Sequence, residues 1–138
     1  MPEDVRHRSV SALNRLLADS MAIRDLYKAH WQTSGATFYE LHLLFDKHHE
    51  EPLAIADVIA ERVQALGGVA LALAHDVVEE SRIARTPPRR ESPVHQIDRL
   101  LDAHEFILTE ARPLARQAAV DDDEGTSDLV RQPTHSRP

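Results

Sequence analysis

Residues 38–68 read FYELHLLFDKHHEEPLAIADVIAERVQALGG, and the fold turns on this stretch. Phe38, Leu41, Phe45, Ile55, Ile59, Val63 and Leu66 recur at helical intervals and form one apolar stripe. Gly67-Gly68 is a natural stop, so the spacing predicts a helix over about 37–66. The same stretch carries a second pattern. His42/Asp46 and Asp57/Glu61 are both i,i+4 pairs, and residues four apart share a helix face. At ~100° per residue the four side chains fall within one arc of roughly 100°, and the apolar stripe lies on another. The ligand-type face also carries Leu53, Val58 and Ala60. It is therefore not a purely solvated surface, and a second subunit is the economical cover.

The flanking sequence extends the helical reading. Leu13, Leu16, Leu17, Ile23, Tyr27 and Trp31 predict a first helix over about 9–34, stopped by Gly35 and preceded by a flexible segment, 1–8. A short helix is expected over about 70–81, then a basic, Pro-rich loop over 82–90. Ser92-Pro93 has the form of an N-cap followed by a proline at the first helical position. It opens a helix over about 93–119, with Ile97, Leu100, Leu101, Ile107, Leu108, Ala111 and Leu114 on one side. His104 falls on that apolar side and reads as a core histidine. Residues 121–125 read as an acidic, solvated loop, and Thr126 or Ser127 as the cap of a further helix that barely begins before Pro133. No β-alternation or internal repeat occurs. The expectation is one all-α domain over 1–138, ending in a loop and truncated tail over 121–138.

Composition narrows the function. The chain has 138 residues, no Cys, nine His, and 16 Lys+Arg against 23 Asp+Glu, for a net charge of -7. Without Cys there is no disulfide framework, thiolate metal site or Cys nucleophile. The charge argues against nucleic acid as the default partner. No stretch resembles a signal peptide or a membrane span, so a cytoplasmic location without membrane association is expected. Histidines and carboxylates without thiols make an oxygen/nitrogen metal site worth testing, and iron or manganese suits such donors.

Helix geometry constrains that site. At ~1.5 Å rise per residue, Asp46 and Asp57 stand roughly 16 Å apart along the axis, too far for one ion with ~2 Å ligand bonds. An antiparallel copy of the same helix, crossing near residues 51–52, would bring His42/Asp46 of one chain to Asp57/Glu61 of the other. Two-fold symmetry then gives two equivalent sites, separated by roughly 22 Å. His30, just before the turn into the second helix, stands near enough to join His42. Against this, an i,i+4 acidic pair alone is ordinary on a solvated helix, and a lone His is commonly structural.

Several blocks together carry a family resemblance. They are His30-Trp31 with Ser34-Gly35, then Phe38, Leu41-His42-Leu43-Leu44-Phe45-Asp46, then Asp57, Ile59-Ala60-Glu61-Arg62 and Leu66-Gly67-Gly68. In these blocks the chain resembles the Dps proteins, the miniature ferritins of bacteria, from about residue 9 to 128. The resemblance implies a ferritin-like four-helix bundle, hollow dodecamers, and ferroxidase centres between two-fold-related subunits. It implies His30, His42 and Asp46 as iron ligands from one chain, and Asp57 and Glu61 from its partner. Trp31 would lie beside the iron and handle electrons. The implied activity is oxidation of Fe(II), usually with hydrogen peroxide, with storage of ferric iron and protection from oxidative damage.

Three departures qualify the resemblance. The fourth helix is expected to be largely missing, leaving an apolar groove and placing cage assembly in doubt. Pro52 lies inside the second helix, either as a tolerated kink or as a disturbance of the two-fold interface. The termini lack the Lys/Arg-rich arm that many of the family use on DNA; Arg82, Arg85, Arg89 and Arg90 form the one basic patch, read as a solvated loop. A non-catalytic, degenerate helical partner and a DNA-compacting protein therefore stand as alternative functions.

Overall fold

A computed structural model of the chain describes residues 1–27 and 38–132. Every regular element among them is a helix: α1 (Glu3–Tyr27), α2 (Phe38–Ala65), α3 (Ala74–Glu80), α4 (Pro93–Val120) and α5 (Glu124–Arg131). No described helix is long and apolar enough to cross a membrane. Helix α1 packs on α2, α3 and α4, and α5 packs on α4 and the end of α2. Helices α1, α2, α4 and α5 thus stand at the four positions of a bundle, with α5 only eight residues long.

The predicted stripe on α2 becomes the interior. Ile59, Val63 and Leu66 pack with Leu13, Leu16 and Leu17 of α1, Ala111 and Ala115 of α4, and Val130 of α5. Phe45 joins Ile23, Leu26, Leu100 and Ala103 in a second cluster, and Ile107 packs against both. The ligand-type residues are therefore held on a helix whose opposite side is locked into the core.

Helix ends follow local chemistry. Gly67 has φ +73°, and Gly67 N–H donates to Gln64 O (2.8 Å) while Gly68 N–H donates to Val63 O (2.9 Å). This left-handed stop satisfies carbonyls that the end of α2 would otherwise leave open. A Cβ on Gly68 would lie 2.6 and 2.8 Å from the two methyls of Val10. Gly68→Ala is thus expected to cost about 1–3 kcal/mol through overpacking, checked by urea denaturation. Ser92 caps α4, its Oγ accepting from His95 N–H (3.3 Å), with Pro93 beginning the helix.

Several expectations about these elements need correction. Residues 3–8 are helical, not a flexible segment: Val5 is buried, and Arg8 pairs with Asp4 (2.8 Å) and with Asp121 (3.3 Å), tying the first turns to the end of α4. The short helix begins at Ala74, not near 70, because Asn14 captures the chain before it: Asn14 Nδ2 donates to Val69 O (2.9 Å), and Leu71 N–H donates to Asn14 Oδ1 (3.1 Å). His104 is exposed rather than in the core. Eight residues of α5 cover the last turns of α4, and Leu101, earlier on α4, is also exposed. Arg82 is not a freely solvated loop residue. Its N–H donates to the buried Asp19 (2.8 Å), and its guanidinium pairs with Glu110 (2.9 Å) and lies 5.4 Å from the Phe106 ring. Arg85, Arg89 and Arg90 are exposed, as expected.

Pro52 is buried, and α2 continues through it. On the helical wheel it aligns with the apolar stripe, not with the ligand-type arc.

Candidate metal centre

Alternation along α2 separates the candidate ligands from the core. Phe45, Ala56, Ile59 and Val63 are buried, whereas their neighbours Asp46, Asp57 and Glu61 are exposed and His42 is half-buried. Among the described residues, none forms a hydrogen bond or ion pair with Asp46, Asp57 or Glu61. These carboxylates are not occupied in holding the fold together. Apolar side chains stand among them: Tyr39 is 68% exposed, Leu43 49%, Leu53 48% and Val58 46%. Acidic residues interleaved with exposed large hydrophobics distinguish this surface from a merely solvated helix face.

Within one chain the described ligand-type residues do not converge. No group of three or more His, Asp or Glu side chains among the described residues is placed to hold an ion. The reason is the rise of α2 between Asp46 and Asp57, roughly 16 Å at ~1.5 Å per residue. His30 and Trp31 lie outside the described residues.

A second polar cluster, absent from the sequence reading, lies beside Glu61. Arg62 turns away from the exposed face, donating from Nη2 to Asp123 Oδ1 (2.5 Å) and from Nε to Thr126 Oγ1 (3.1 Å). Asp123 also accepts from Ser9 Oγ (3.0 Å) and Thr126 N–H (3.1 Å), which makes it the N-cap of α5. Thr126 and Ser127, expected as caps, are instead fully buried in the first turn of α5. Asp122 takes a left-handed φ of 62°, and Asp123 N–H closes back on Ala118 O (2.8 Å). The acidic run is therefore a tight turn that ends α4 and starts α5, not a solvated loop. Burial pushes the Asp123 carboxyl up, but hydrogen bonds from Thr126, Arg62 and Ser9 outweigh it and hold it below the ordinary aspartate value. The signal for this cluster in the sequence was Asp123-x-x-Thr126, a capping spacing obscured by its acidic neighbours.

The ferritin-like domain family matches residues 10–134. A Bacillus anthracis protein named DNA protection during starvation protein 2 is 31% identical over 122 residues, spanning 88% of this chain and 83% of its own. The chain belongs to the Dps family of ferritin-like proteins. Among solved structures, DpsC from Streptomyces coelicolor superposes with a TM-score of 0.92 at 45% identity, covering 96% of this chain and 77% of that one. A Dps protein from Vibrio cholerae, described as a member of a broad superfamily of ferritin-like diiron-carboxylate proteins, shares the fold at 24% identity and a TM-score of 0.89, covering 96% and 83%. The Dps chain described here thus has the expected all-α, ferritin-like bundle, with its fourth position occupied by the short α5.

Proposed function

We propose that this chain is a miniature ferritin that oxidises Fe(II), with hydrogen peroxide as oxidant, at a site shared between two-fold-related copies, and stores the ferric product. The observation that carries the reading is the face of α2: three exposed carboxylates that none of the described residues engages and a half-buried imidazole, set among exposed apolar side chains. An antiparallel second copy covers those apolar groups and brings His42 and Asp46, with His30, to Asp57 and Glu61 of the partner subunit.

Iron is the substrate here. Neutral imidazole binds Fe(II) without adding charge, and the carboxylate oxygens favour Fe(III), so the donor set supports oxidation. Two ferrous ions supply the two electrons that reduce one peroxide to water, two protons being consumed. Electron transfer in pairs avoids the one-electron cleavage that releases hydroxyl radical. Trp31, next to His30 in sequence, is assigned to electron handling at this site.

The test is anaerobic addition of Fe(II) and peroxide to the full chain, followed by ferric absorbance. Asp57→Ala/Glu61→Ala should lower the initial rate by at least about tenfold, because an open site that loses two of its charged ligands loses both affinity and redox bias. Equal rates in the two proteins would sink the reading.

A further inference from the structure

Glu61 and Arg62 are neighbours near the end of α2, yet their side chains leave in different directions. Glu61 is exposed on the candidate metal face, and Arg62 reaches α5. Asp123, which receives Arg62, is 2% exposed and also takes the Ser9 hydroxyl of α1. Three helices therefore meet at one carboxylate, and the α2 residue that binds it, Arg62, is the chain neighbour of a proposed ligand. The fit is close: a Cβ on Gly125 would stand 2.8–2.9 Å from the guanidinium of Arg62. Glu61 stands only four positions before the last residue of α2, Ala65, and terminal turns fray unless they are tied. Asp57 lies a full turn further in, directly after buried Ala56 and two residues before buried Ile59, so the core fixes it without help.

We infer that Asp123, acting through Arg62, is a positioning residue for Glu61, setting where that carboxylate stands relative to the partner subunit's His42 and Asp46. It touches neither iron nor oxidant. The inference rests on the shared-site reading above, and groups that orient ligands from behind commonly govern metal affinity.

The experiment titrates Zn(II), a redox-inert probe, into the full chain by calorimetry. Asp123→Asn retains a capping side chain and removes the charge that Arg62 engages. It is expected to weaken Zn(II) binding by about tenfold. In a Glu61→Ala background the same change should add no more than about twofold, since coupled residues are not additive. Ser9→Ala loosens the cluster from the α1 side without touching Arg62; it should lower thermal stability and leave Zn(II) affinity unchanged. Arg62→Lys keeps the charge but not the forked hydrogen bonding, and should weaken binding in the same direction if Asp123→Asn does not fold. Equal losses in both backgrounds, equal losses in Ser9→Ala, or unaltered affinity in Asp123→Asn would each overturn the inference while leaving the site intact. Failure of Glu61→Ala itself to weaken Zn(II) would overturn the site reading, and this inference with it.

Discussion

Mixing two inactive variants is expected to restore ferrous oxidation. His42→Ala/Asp46→Ala removes one half of each proposed site, and Asp57→Ala/Glu61→Ala removes the other. Each variant alone should be nearly inactive, because every site in its dimer lacks two ligands. When the two are unfolded together and refolded, about half of the dimers are mixed, and each mixed dimer has one complete site and one doubly damaged one under two-fold symmetry. Activity should therefore recover to roughly a quarter of wild type. If the ligands served a site within one chain, mixing would restore nothing, since no chain in the mixture would carry both pairs. The rise of α2 makes the first outcome the expected one: no single copy can close the roughly 16 Å between Asp46 and Asp57. Initial rates of ferric absorbance in the mixed and unmixed proteins decide between them.

The second large effect concerns stability. Asp123→Ala is expected to destabilise the fold by roughly 3 kcal/mol, measured by urea denaturation at neutral pH. Two losses contribute. The α5 cap disappears, worth about 1 kcal/mol. Arg62 is also left without its counter-charge; breaking a fully buried pair costs about 3–5 kcal/mol, but the Arg62 side chain is 26% exposed and water recovers part of that. The effect should be pH-dependent with a defined sign. The folded carboxyl of Asp123 is held below the ordinary aspartate value, so the unfolded chain takes up a proton first as pH falls. The ion-pair contribution is complete above the ordinary aspartate range and disappears as pH drops through the depressed folded value. The stability gap between wild type and Asp123→Asn should therefore narrow as pH falls below the ordinary aspartate range. A gap that stays constant from neutral pH downward would show that the carboxylate charge is not what holds α5.

Much of the fold was legible along the chain, for a local reason. An apolar stripe such as Phe45, Ile59, Val63 and Leu66 has a 3.6-residue period that only a helix can bury on one side, and Gly67 or Ser92-Pro93 act within one turn of themselves. The candidate ligands were legible for the same reason, since i,i+4 spacing is a property of one helix. Errors arose where residues distant in sequence compete for the same groups. Asn14 shortens α3 by holding residues 69 and 71 from another helix, and Asp19 draws in the backbone of Arg82. Neither partner is visible from within the segment it alters.

The sequence by itself determined the helices, the two faces of α2, and that no single copy of α2 can bring its two i,i+4 ligand-type pairs together. It did so because periodicity and rise per residue follow from backbone geometry alone. Only the tertiary structure decided that Arg62, inside the recognisable Ala60-Glu61-Arg62 block, serves α5 rather than the exposed face of α2. It also showed that Asp123, one of four consecutive acidic residues, is the buried one. That choice depends on which side chain the packed helices shield from water, a property that emerges only when α1, α2 and α5 meet.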